Sequence, residues 1–232
     1  MPPRAFRLAS IPAVLRAEAA WLRRELEGLA VGDLSPLLSI GSGHAELTTD
    51  QPWIHGVVYE PLERRGARVL HHELEPAPGV DVAGDLTDPR FLDSLASLEI
   101  RSVMCCNVLE HVPEPARVAA ALEQLVAPGG YALVSVPRRF PYHPGPIDTL
   151  FRPSADELRG LFPALAQAKA EEIRCESLVG YWLASPNKRT ALGRGLRSFG
   201  RRGDVGEKAR LADKLRMLFA STAVSAVILR RE

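Results

Sequence analysis

Several features that define other classes of protein are scarce in this sequence of 232 residues. The three cysteines are too few for a disulfide framework, and they lack the spacing of a zinc site. Positive and negative charges nearly cancel, and a net charge of +1 does not indicate binding to nucleic acid or membrane. No window approaches the roughly 18 apolar residues of a membrane span, and the first ten residues lack the apolar run of a signal peptide. We therefore expect a soluble, cytoplasmic protein without a metal site.

The overall composition is that of an ordinary globular domain. Hydrophobic residues make up 46% of the chain and charged residues 25%, both close to the averages for globular proteins. A chain of this length can bury enough surface to form its own core. The sequence predicts a single domain over residues 1–232, with an amphipathic N-terminal helix over 12–30 and a basic insertion over 186–216.

Strand and helix patterns alternate along most of the chain. Apolar residues at steps of three and four predict the N-terminal helix, whereas short apolar runs predict strands. Strands are predicted over 36–40, 68–73, 80–83, 101–107, 131–136, 172–183 and 222–229, and helices over 88–98, 114–126 and 154–162. This alternation predicts an α/β fold, with a parallel sheet covered by helices on both faces.

A glycine turn, Gly41-Ser42-Gly43, follows the first predicted strand. Glycines at this place let a ligand approach the backbone beyond the carboxyl end of the strand. A dinucleotide-binding loop needs a small residue at position 46, but Glu46 stands there and would repel a pyrophosphate. An oxidoreductase that uses a nicotinamide or flavin dinucleotide is therefore disfavoured.

Five short motifs, in order and spacing, resemble those of class I S-adenosylmethionine-dependent methyltransferases, in particular the broad family with a Leu-Glu-His-Val signature. The motifs are Leu38-Ser-Ile-Gly-Ser-Gly43, Gly84-Asp-Leu-Thr-Asp88, Asn107-Val-Leu-Glu-His-Val112, Pro128-Gly-Gly130 and Ser135-Val-Pro137. The resemblance covers about residues 36–161, and the loop over 140–153 looks like that of a bacterial subgroup. It implies S-adenosyl-L-methionine as cofactor. It also implies a seven-stranded Rossmann-like sheet in the order 3-2-1-4-5-7-6, with the last strand antiparallel.

The resemblance further implies which residues bind the cofactor. The methionine end would face the glycine turn, the adenine would contact Asp85 and Leu86, and Asn107 would lie beneath the reactive methyl group. An acid that closes the second strand would accept hydrogen bonds from the ribose hydroxyls. Three acids meet this requirement; the best match is Glu73, and the alternatives are Glu60 and Glu75.

Two positions depart from the family pattern. Ser39 stands where an acid usually helps to hold the amino end of the cofactor, and Ala45 replaces a third glycine. Either the affinity for the cofactor is then lower, or another acid such as Glu46 compensates for Ser39. These departures motivate an alternative interpretation, a catalytically inactive methyltransferase-like binding module.

The favoured reaction is methyl transfer to a small-molecule acceptor, with oxygen favoured over nitrogen or carbon. A hydroxyl acceptor needs a base, and histidine is suited to that role. His143 and His111 are the candidates, with Asp148 able to orient His143, and Tyr142 and Arg152 are candidates for binding the substrate. The structural alternatives are a hydrogen bond of His111 beside the glycine turn and an Asp148–Arg152 salt bridge that fixes the loop.

The segment 186–216 concentrates positive charge, with ten basic residues against three acidic ones. One interpretation is a solvated insertion. The other is a surface for an anionic partner, such as a phosphorylated or lipid-linked substrate or the inner membrane leaflet. Nucleic acid is not expected, because Phe199 is the only aromatic residue within the segment to stack on bases. The sequence leaves the oligomeric state open.

Overall fold

The computed structural model describes residues 14–42, 52–143, 147–184, 216 and 218–232. Its centre is a seven-stranded sheet in the order β3-β2-β1-β4-β5-β7-β6. The strands are β1 Leu37–Ile40, β2 Val69–Glu73, β3 Val82–Ala83, β4 Ser102–Cys106, β5 Tyr131–Arg139, β6 Ala166–Cys175 and β7 Thr222–Arg230. The first five strands pair in parallel, whereas β7 is antiparallel to both β5 and β6. This topology confirms the predicted fold class and strand order.

Helices cover both faces of the sheet. They are α1 Arg16–Glu27, α2 Val31–Leu34, α3 (Pro52–Ile54, the π-helical His55–Tyr59 and Glu60–Arg64), α4 Pro89–Ser94, α5 Pro115–Leu125, α6 Ala155–Gly160 and α7 Leu178–Ala184. Two 3₁₀ turns, Leu95–Leu98 and Leu109–His111, follow α4 and β4. Among the described residues, no helix has both the length and the apolar character needed to cross a membrane.

Neighbouring residues of each strand point to opposite faces, which divides the core in two. Leu37 packs in a cluster with α1, α3 and α7, whereas Leu38 packs in a second cluster with α5 and α6. Both leucines are 0% exposed. The central strands are therefore apolar on both faces, as expected for a parallel sheet covered by helices.

Two helix starts that the sequence predicted have their expected caps. The Asp88 side chain accepts a hydrogen bond from the Arg90 N–H at 3.0 Å, with Pro89 in the first turn of α4. Ser154 and Glu157 form a reciprocal capping box at the start of α6. These caps satisfy backbone N–H groups that would otherwise lack a partner at each helix start.

The strand predicted over 172–183 is wrong at both ends. β6 begins at Ala166 and ends at Cys175, and α7 follows it. The beginning of β6 is polar and lies at the edge of the sheet, so it lacks the apolar signal of a strand. Leu178, Tyr181 and Trp182 are buried at helical spacing, which is the pattern of α7 rather than of a strand.

Several predicted features lie wholly or partly outside the described residues. Helix α1 falls within the predicted 12–30, although residues 12 and 13 are not described. The basic segment 186–216 lies outside the described residues except for Arg216. Gly43, Ala45 and Glu46 also lie outside them.

Gly130, in the turn before β5, gives a direct test of this packing. A Cβ there would lie 1.9 Å from the carbonyl oxygen of Arg101, which is backbone and cannot rotate away. We expect Gly130→Ala to lower the free energy of unfolding by about 1–3 kcal/mol, as overpacking generally does. Urea unfolding measures the change.

The matched control is Gly160→Ala, because no described atom lies within 4 Å of a Cβ added at Gly160. We expect the control to be as stable as the wild type or slightly more stable. Equal stability of the two variants would contradict the described turn.

Candidate functional site

The loops that follow the parallel strands meet along one edge of the sheet. β1, β2, β3 and β4 run in the same direction, so their carboxyl ends lie on the same side. Ligands of open α/β sheets bind beyond this edge. The described residues that the sequence singled out all follow or close these strands, or lie in the loop after β5.

Gly41, directly after β1, adopts a conformation that favours glycine. Its φ is +69°, and a Cβ at this position would lie 2.6 Å from Cγ2 of Val108 in the loop after β4. The Gly41 N–H donates to the carbonyl oxygen of His72 at 2.9 Å. The lack of a side chain therefore lets the backbone turn closely between β2 and β4.

A network of neutral groups surrounds Ser39, where the family pattern has an acid. Ser39 is 1% exposed, and its hydroxyl is hydrogen-bonded to the Tyr59 hydroxyl at 2.9 Å. The Ser42 hydroxyl donates to the Ser39 carbonyl at 3.0 Å and lies 2.9 Å from Nδ1 of His71. Burial raises the pKa of Tyr59 to about 12, so the phenol stays uncharged.

The three acids proposed for the ribose lie in different elements. Glu73 is the last residue of β2 and pairs with Ala83 of β3. Glu75 is exposed in the loop after β2. Glu60 lies in α3, where its carboxylate forms a 2.5 Å salt bridge with Arg64. Only Glu73 closes a strand at the carboxyl edge.

The adenine candidates follow β3. Asp85 is exposed, and its Oδ1 accepts hydrogen bonds from the N–H and the hydroxyl of Thr87, both at 2.8 Å. These bonds lower the pKa of Asp85, beginning with that from the backbone N–H, and keep the side chain ionised. Leu86 is 5% exposed and joins the second core cluster. A carboxylate and an apolar side chain thus stand next to each other in the loop after β3.

Asn107, directly after β4, is held by a carboxylate from the N-terminal helix. Its φ is +54°, and its Nδ2 donates to both oxygens of Glu18 at 3.0 Å. The Ser135 hydroxyl and the Leu15 N–H donate to the same carboxylate at 2.5 and 3.1 Å. Glu18 thereby connects α1 with the ends of β4 and β5.

Burial dominates the titration of Glu18, which is 0% exposed. Desolvation raises its pKa from 4.5 to about 7, and the nearby Glu176 adds to the increase, although hydrogen bonds from Ser135, Asn107 and Leu15 oppose it. Glu110, Cys106 and Cys175 also interact with it. Burial raises the pKa of both thiols, so they stay neutral.

Glu18 was not predicted as a site residue, although the amino-acid sequence of α1 contains a signal for its role. Leu15, Ala19, Leu22 and Leu26 form the buried face of α1, and Glu18 belongs to the same face. An acid on the apolar side of an amphipathic helix must be buried and therefore needs partners. The sequence cannot show which partners those are.

A second group of side chains gathers beyond the ends of β4 and β5. His111 closes the 3₁₀ turn after β4, and His143 lies in the loop after β5. Their ring centroids are 5.0 Å apart. His111 Nδ1 lies 2.5 Å from the Ile147 carbonyl. The hydrogen-bond partner of its ring is therefore in the loop after β5 rather than in the glycine turn.

Asp148 and Arg152 fix the loop that carries His143. Asp148 Oδ2 accepts from the His143 N–H at 2.9 Å and from Arg152 Nη2 at 2.7 Å, and it lies 3.2 Å from His143 Nδ1. Burial raises the pKa of Asp148, but hydrogen bonds from His143 and Arg152 outweigh it and hold the pKa below its usual value. Asp148 is thus an anion that both orients the imidazole and binds Arg152. Tyr142 is half-buried beside His143.

Glu110, which the sequence analysis quoted only as part of a motif, lies at the centre of this group. It is 0% exposed, and its Oε1 is 3.6 Å from His111 Nε2 and 3.9 Å from His143 Nε2. Within the described part of the chain, neither carboxylate oxygen has a hydrogen-bond partner. Burial raises the pKa of Glu110 to about 8. We call Glu110, His111 and His143 the acceptor-side cluster.

Comparison with known proteins identifies the family. A family model described as a methyltransferase domain matches residues 14–180, which is most of the chain. The chain belongs to the methyltransferase-domain family. The seven-stranded sheet and the motifs along its carboxyl edge make it a class I S-adenosylmethionine-dependent methyltransferase fold.

The methyltransferase is similar to curated ubiquinone biosynthesis O-methyltransferases. That of Pseudomonas paraeruginosa is 30% identical over 139 residues, which cover 52% of this chain and 59% of the relative. That of Hahella chejuensis is 35% identical over 98 residues, which cover 37% of this chain and 41% of the relative. The match thus spans little more than half the length of the first of these relatives.

Two solved structures share the fold at low sequence identity. A SAM-dependent methyltransferase from Archaeoglobus fulgidus superposes with a TM-score of 0.51 at 14% identity, covering 91% of this chain and 92% of the other. A candidate sarcosine dimethylglycine methyltransferase from Galdieria sulphuraria gives a TM-score of 0.55 at 14% identity, covering 92% and 84%. At this identity the likeness concerns the fold alone.

The groups at the carboxyl edge fit the cofactor of this family. S-adenosyl-L-methionine carries a cationic sulfonium and an ammonium group, a ribose with two hydroxyls and a flat adenine. The methyltransferase offers a side-chain-free turn at Gly41, carboxylates at Glu73 and Asp85, and the apolar Leu86. Because Ser39 is neutral, the buried carboxylate that is hydrogen-bonded to Asn107 after β4 and to Ser135 of β5 is that of Glu18.

The raised pKa of Glu18 makes a testable contribution to the pH dependence of stability. The folded state binds the Glu18 proton more tightly than the unfolded state, so the free energy of unfolding falls as pH rises from about 4.5 to about 7. At about 1.4 kcal/mol per pKa unit, the fall is about 3 kcal/mol. In urea unfolding across the same pH range, we expect the fall in Glu18→Gln to be smaller than that in the wild type by this amount, with the contribution of Glu110 retained.

The matched control is Glu27→Gln, which changes an exposed carboxylate of the same helix. It should reproduce the pH dependence of the wild type. If Glu18→Gln and Glu27→Gln have the same pH dependence, Glu18 is not the buried acid described above.

Proposed function

We propose that this protein transfers a methyl group from S-adenosyl-L-methionine to an oxygen of a small-molecule acceptor. The observation that carries the proposal is the arrangement of two adjoining groups of residues along one edge of the sheet. The cofactor candidates lie at the ends of β1 to β4, and the acceptor-side cluster lies at the ends of β4 and β5. The names of the curated relatives, which are O-methyltransferases, support the choice of oxygen.

The cofactor, when bound, supplies a methyl group that the sulfonium has already activated. The methionine end would be held by the turn at Gly41, Ser42 and Gly43, and by Asn107 beneath the methyl group. Glu18 would fix the Asn107 amide in place, since Nδ2 donates to both of its oxygens. Glu73 would accept from the ribose hydroxyls, and Asp85 from the adenine amino group.

The acceptor would lie against the loop after β5. Most of the rate of methyl transfer can come from holding the nucleophile in line with the methyl carbon. A hydroxyl must also lose its proton. The acceptor-side cluster brings together three atoms whose lone pairs are able to receive or stabilise that proton. His143 and His111 are the members that the sequence predicted, and Asp148 orients the ring of His143.

The two residues expected to bind substrate, Arg152 and Tyr142, have different roles in the proposal. Arg152 donates to Asp148, to the Phe151 carbonyl and to the Phe140 carbonyl. We therefore assign Arg152 to positioning of the loop rather than to binding an acidic substrate group. Tyr142 remains a candidate for contact with the acceptor.

Isothermal titration with S-adenosyl-L-methionine and its demethylated product tests the proposal at the level of binding. We expect both to bind to the wild-type chain, and a methyl-transfer assay with small hydroxylated aromatic acceptors then tests turnover. Failure to bind either compound at millimolar concentration would overturn the proposal. Binding without turnover of any acceptor would favour the inactive binding module instead.

Substitution of the ribose acid is a sharper test of the cofactor site. We expect Glu73→Ala to weaken cofactor binding by about 1–3 kcal/mol, the cost of losing the partner of a buried hydrogen bond. Glu75→Ala, two residues further along and exposed, is the matched control and should bind as the wild type does. The reverse result would move the ribose to Glu75, and calorimetry reports both outcomes.

Removal of His143 tests the acceptor side. We expect His143→Ala to lower the turnover about 10²–10⁴-fold, the usual range for an acid–base group, while the affinity for the cofactor changes little. His55→Ala is the control, because His55 is exposed on α3. A turnover equal to that of His55→Ala would leave His143 with a structural role only.

A further inference from the structure

The acceptor-side cluster brings together three atoms that carry lone pairs. They are one carboxylate oxygen of Glu110, Nε2 of His111 and Nε2 of His143, and all lie within 4.8 Å of one another. The two distances to the Glu110 oxygen are 3.6 and 3.9 Å. Ligands of a dication bound at about 2.0–2.2 Å lie about 3–3.5 Å apart. The two distances to Glu110 would have to shorten by a few tenths of an ångström, and the distance between the two Nε2 atoms, which is at most 4.8 Å, by about 1 Å.

The shortest outer contacts of both histidines are with oxygens that only accept hydrogen bonds. His111 Nδ1 lies 2.5 Å from the Ile147 carbonyl oxygen, so the hydrogen on Nδ1 leaves a lone pair on Nε2 of the neutral ring. His143 Nδ1 lies 3.1 Å from the Pro141 carbonyl and 3.2 Å from an Asp148 oxygen, and at 3.5 Å it also meets Arg152 Nη2, which only donates. The two shorter contacts favour the same tautomer for His143.

This is the outer arrangement found around histidines that bind metals, where a carboxylate or carbonyl fixes the tautomer and the orientation of the ring. The loop is held at the same place by Thr149, whose N–H and hydroxyl donate to the Glu110 carbonyl at 2.9 and 3.0 Å. The cluster is therefore pre-formed by backbone contacts rather than by contacts among its own members.

Glu110 supplies the strongest reason for a cation at this point. It is 0% exposed, and among the described residues no donor serves either of its oxygens. An ionised carboxylate in such a place is costly unless a proton or a cation neutralises it.

We propose that Glu110, His111 and His143 bind one divalent transition-metal ion. Two imidazoles and one carboxylate favour Zn²⁺, Fe²⁺, Mn²⁺ or Co²⁺, whereas Mg²⁺ and Ca²⁺ prefer oxygen ligands alone. A metal site was not expected from the sequence. The proposed ligands come from two loops that are far apart in the chain, so their spacing does not indicate a metal site. Three protein ligands leave coordination positions open, as in catalytic rather than structural sites.

The consequence for the reaction rests on the proposed function. An ion at the acceptor-side cluster would make His143 a ligand rather than a base, and it would lower the pKa of a hydroxyl that occupies an open position. The substrate class would then be acceptors whose oxygen can coordinate a metal, such as a catechol or a hydroxylated ring with a neighbouring oxygen. Metal binding itself requires neither the cofactor nor an acceptor.

The test uses the full chain without a histidine tag, stripped with a chelator and then dialysed against Zn²⁺ or Co²⁺. We expect one equivalent of metal by elemental analysis and, for Co²⁺, a visible absorption band from the histidine-bound ion. His143→Ala and Glu110→Gln should bind at least about tenfold more weakly, as loss of a ligand or of its support does. His55→Ala, the exposed control, should bind as the wild type does.

Three results would overturn the inference. They are the absence of stoichiometric Zn²⁺ or Co²⁺ binding by the wild type, equal affinity in the wild type and both ligand variants, and equal loss of affinity in His55→Ala. Circular dichroism of each variant establishes that it is folded, and His111→Asn replaces any ligand variant that is not. Since no step uses S-adenosyl-L-methionine, failure of methyl transfer with metal bound would count against the proposed function alone.

Discussion

A single buried carboxylate joins the N-terminal helix to the middle of the sheet. Glu18 accepts hydrogen bonds from its own helix start at Leu15, from Asn107 after β4 and from Ser135 of β5. Removing the helix would leave the Asn107 amide without this acceptor and would expose the apolar face that α1 covers. The position of the Asn107 side chain therefore depends on a helix that lies outside the sheet and contributes no motif.

The same interaction changes how the departure at Ser39 is understood. The family pattern has its acid on the strand itself, whereas here the strand carries a serine bound to the Tyr59 hydroxyl. The acid in this region is instead Glu18, which lies on α1. Burial raises the pKa of Glu18 to about 7 although hydrogen bonds from Ser135 and Asn107 oppose the increase, so this charge develops as the pH rises through about 7. The stability of the fold and the charge of this region thus depend on the same titrating group.

The sequence predicted the fold well because the relevant signals are local. Helical spacing located α1, the capping pairs located α4 and α6, and the strand-loop motifs indicated the order of the sheet. The error over 172–183 arose where the start of β6 is polar and where the apolar spacing of α7 was interpreted as a strand. The site was predicted only in outline. Glu18 meets partners 89 and 117 residues away, and the Glu110 oxygens face a histidine from another loop, so both arrangements follow from tertiary structure.

The antiparallel strand β7 has a consequence for how substrate range can diverge in such enzymes. β6 and β5 both pair with β7 in antiparallel fashion, so β6 ends and β7 begins at the edge that carries the site. Cys175 and Thr222 pair there, so this end of the β6–β7 ladder lies at the edge where the acceptor is proposed to bind. A substitution at this end can therefore reshape that edge while the pairing of β1 to β4, which carries the cofactor candidates, is inherited unchanged.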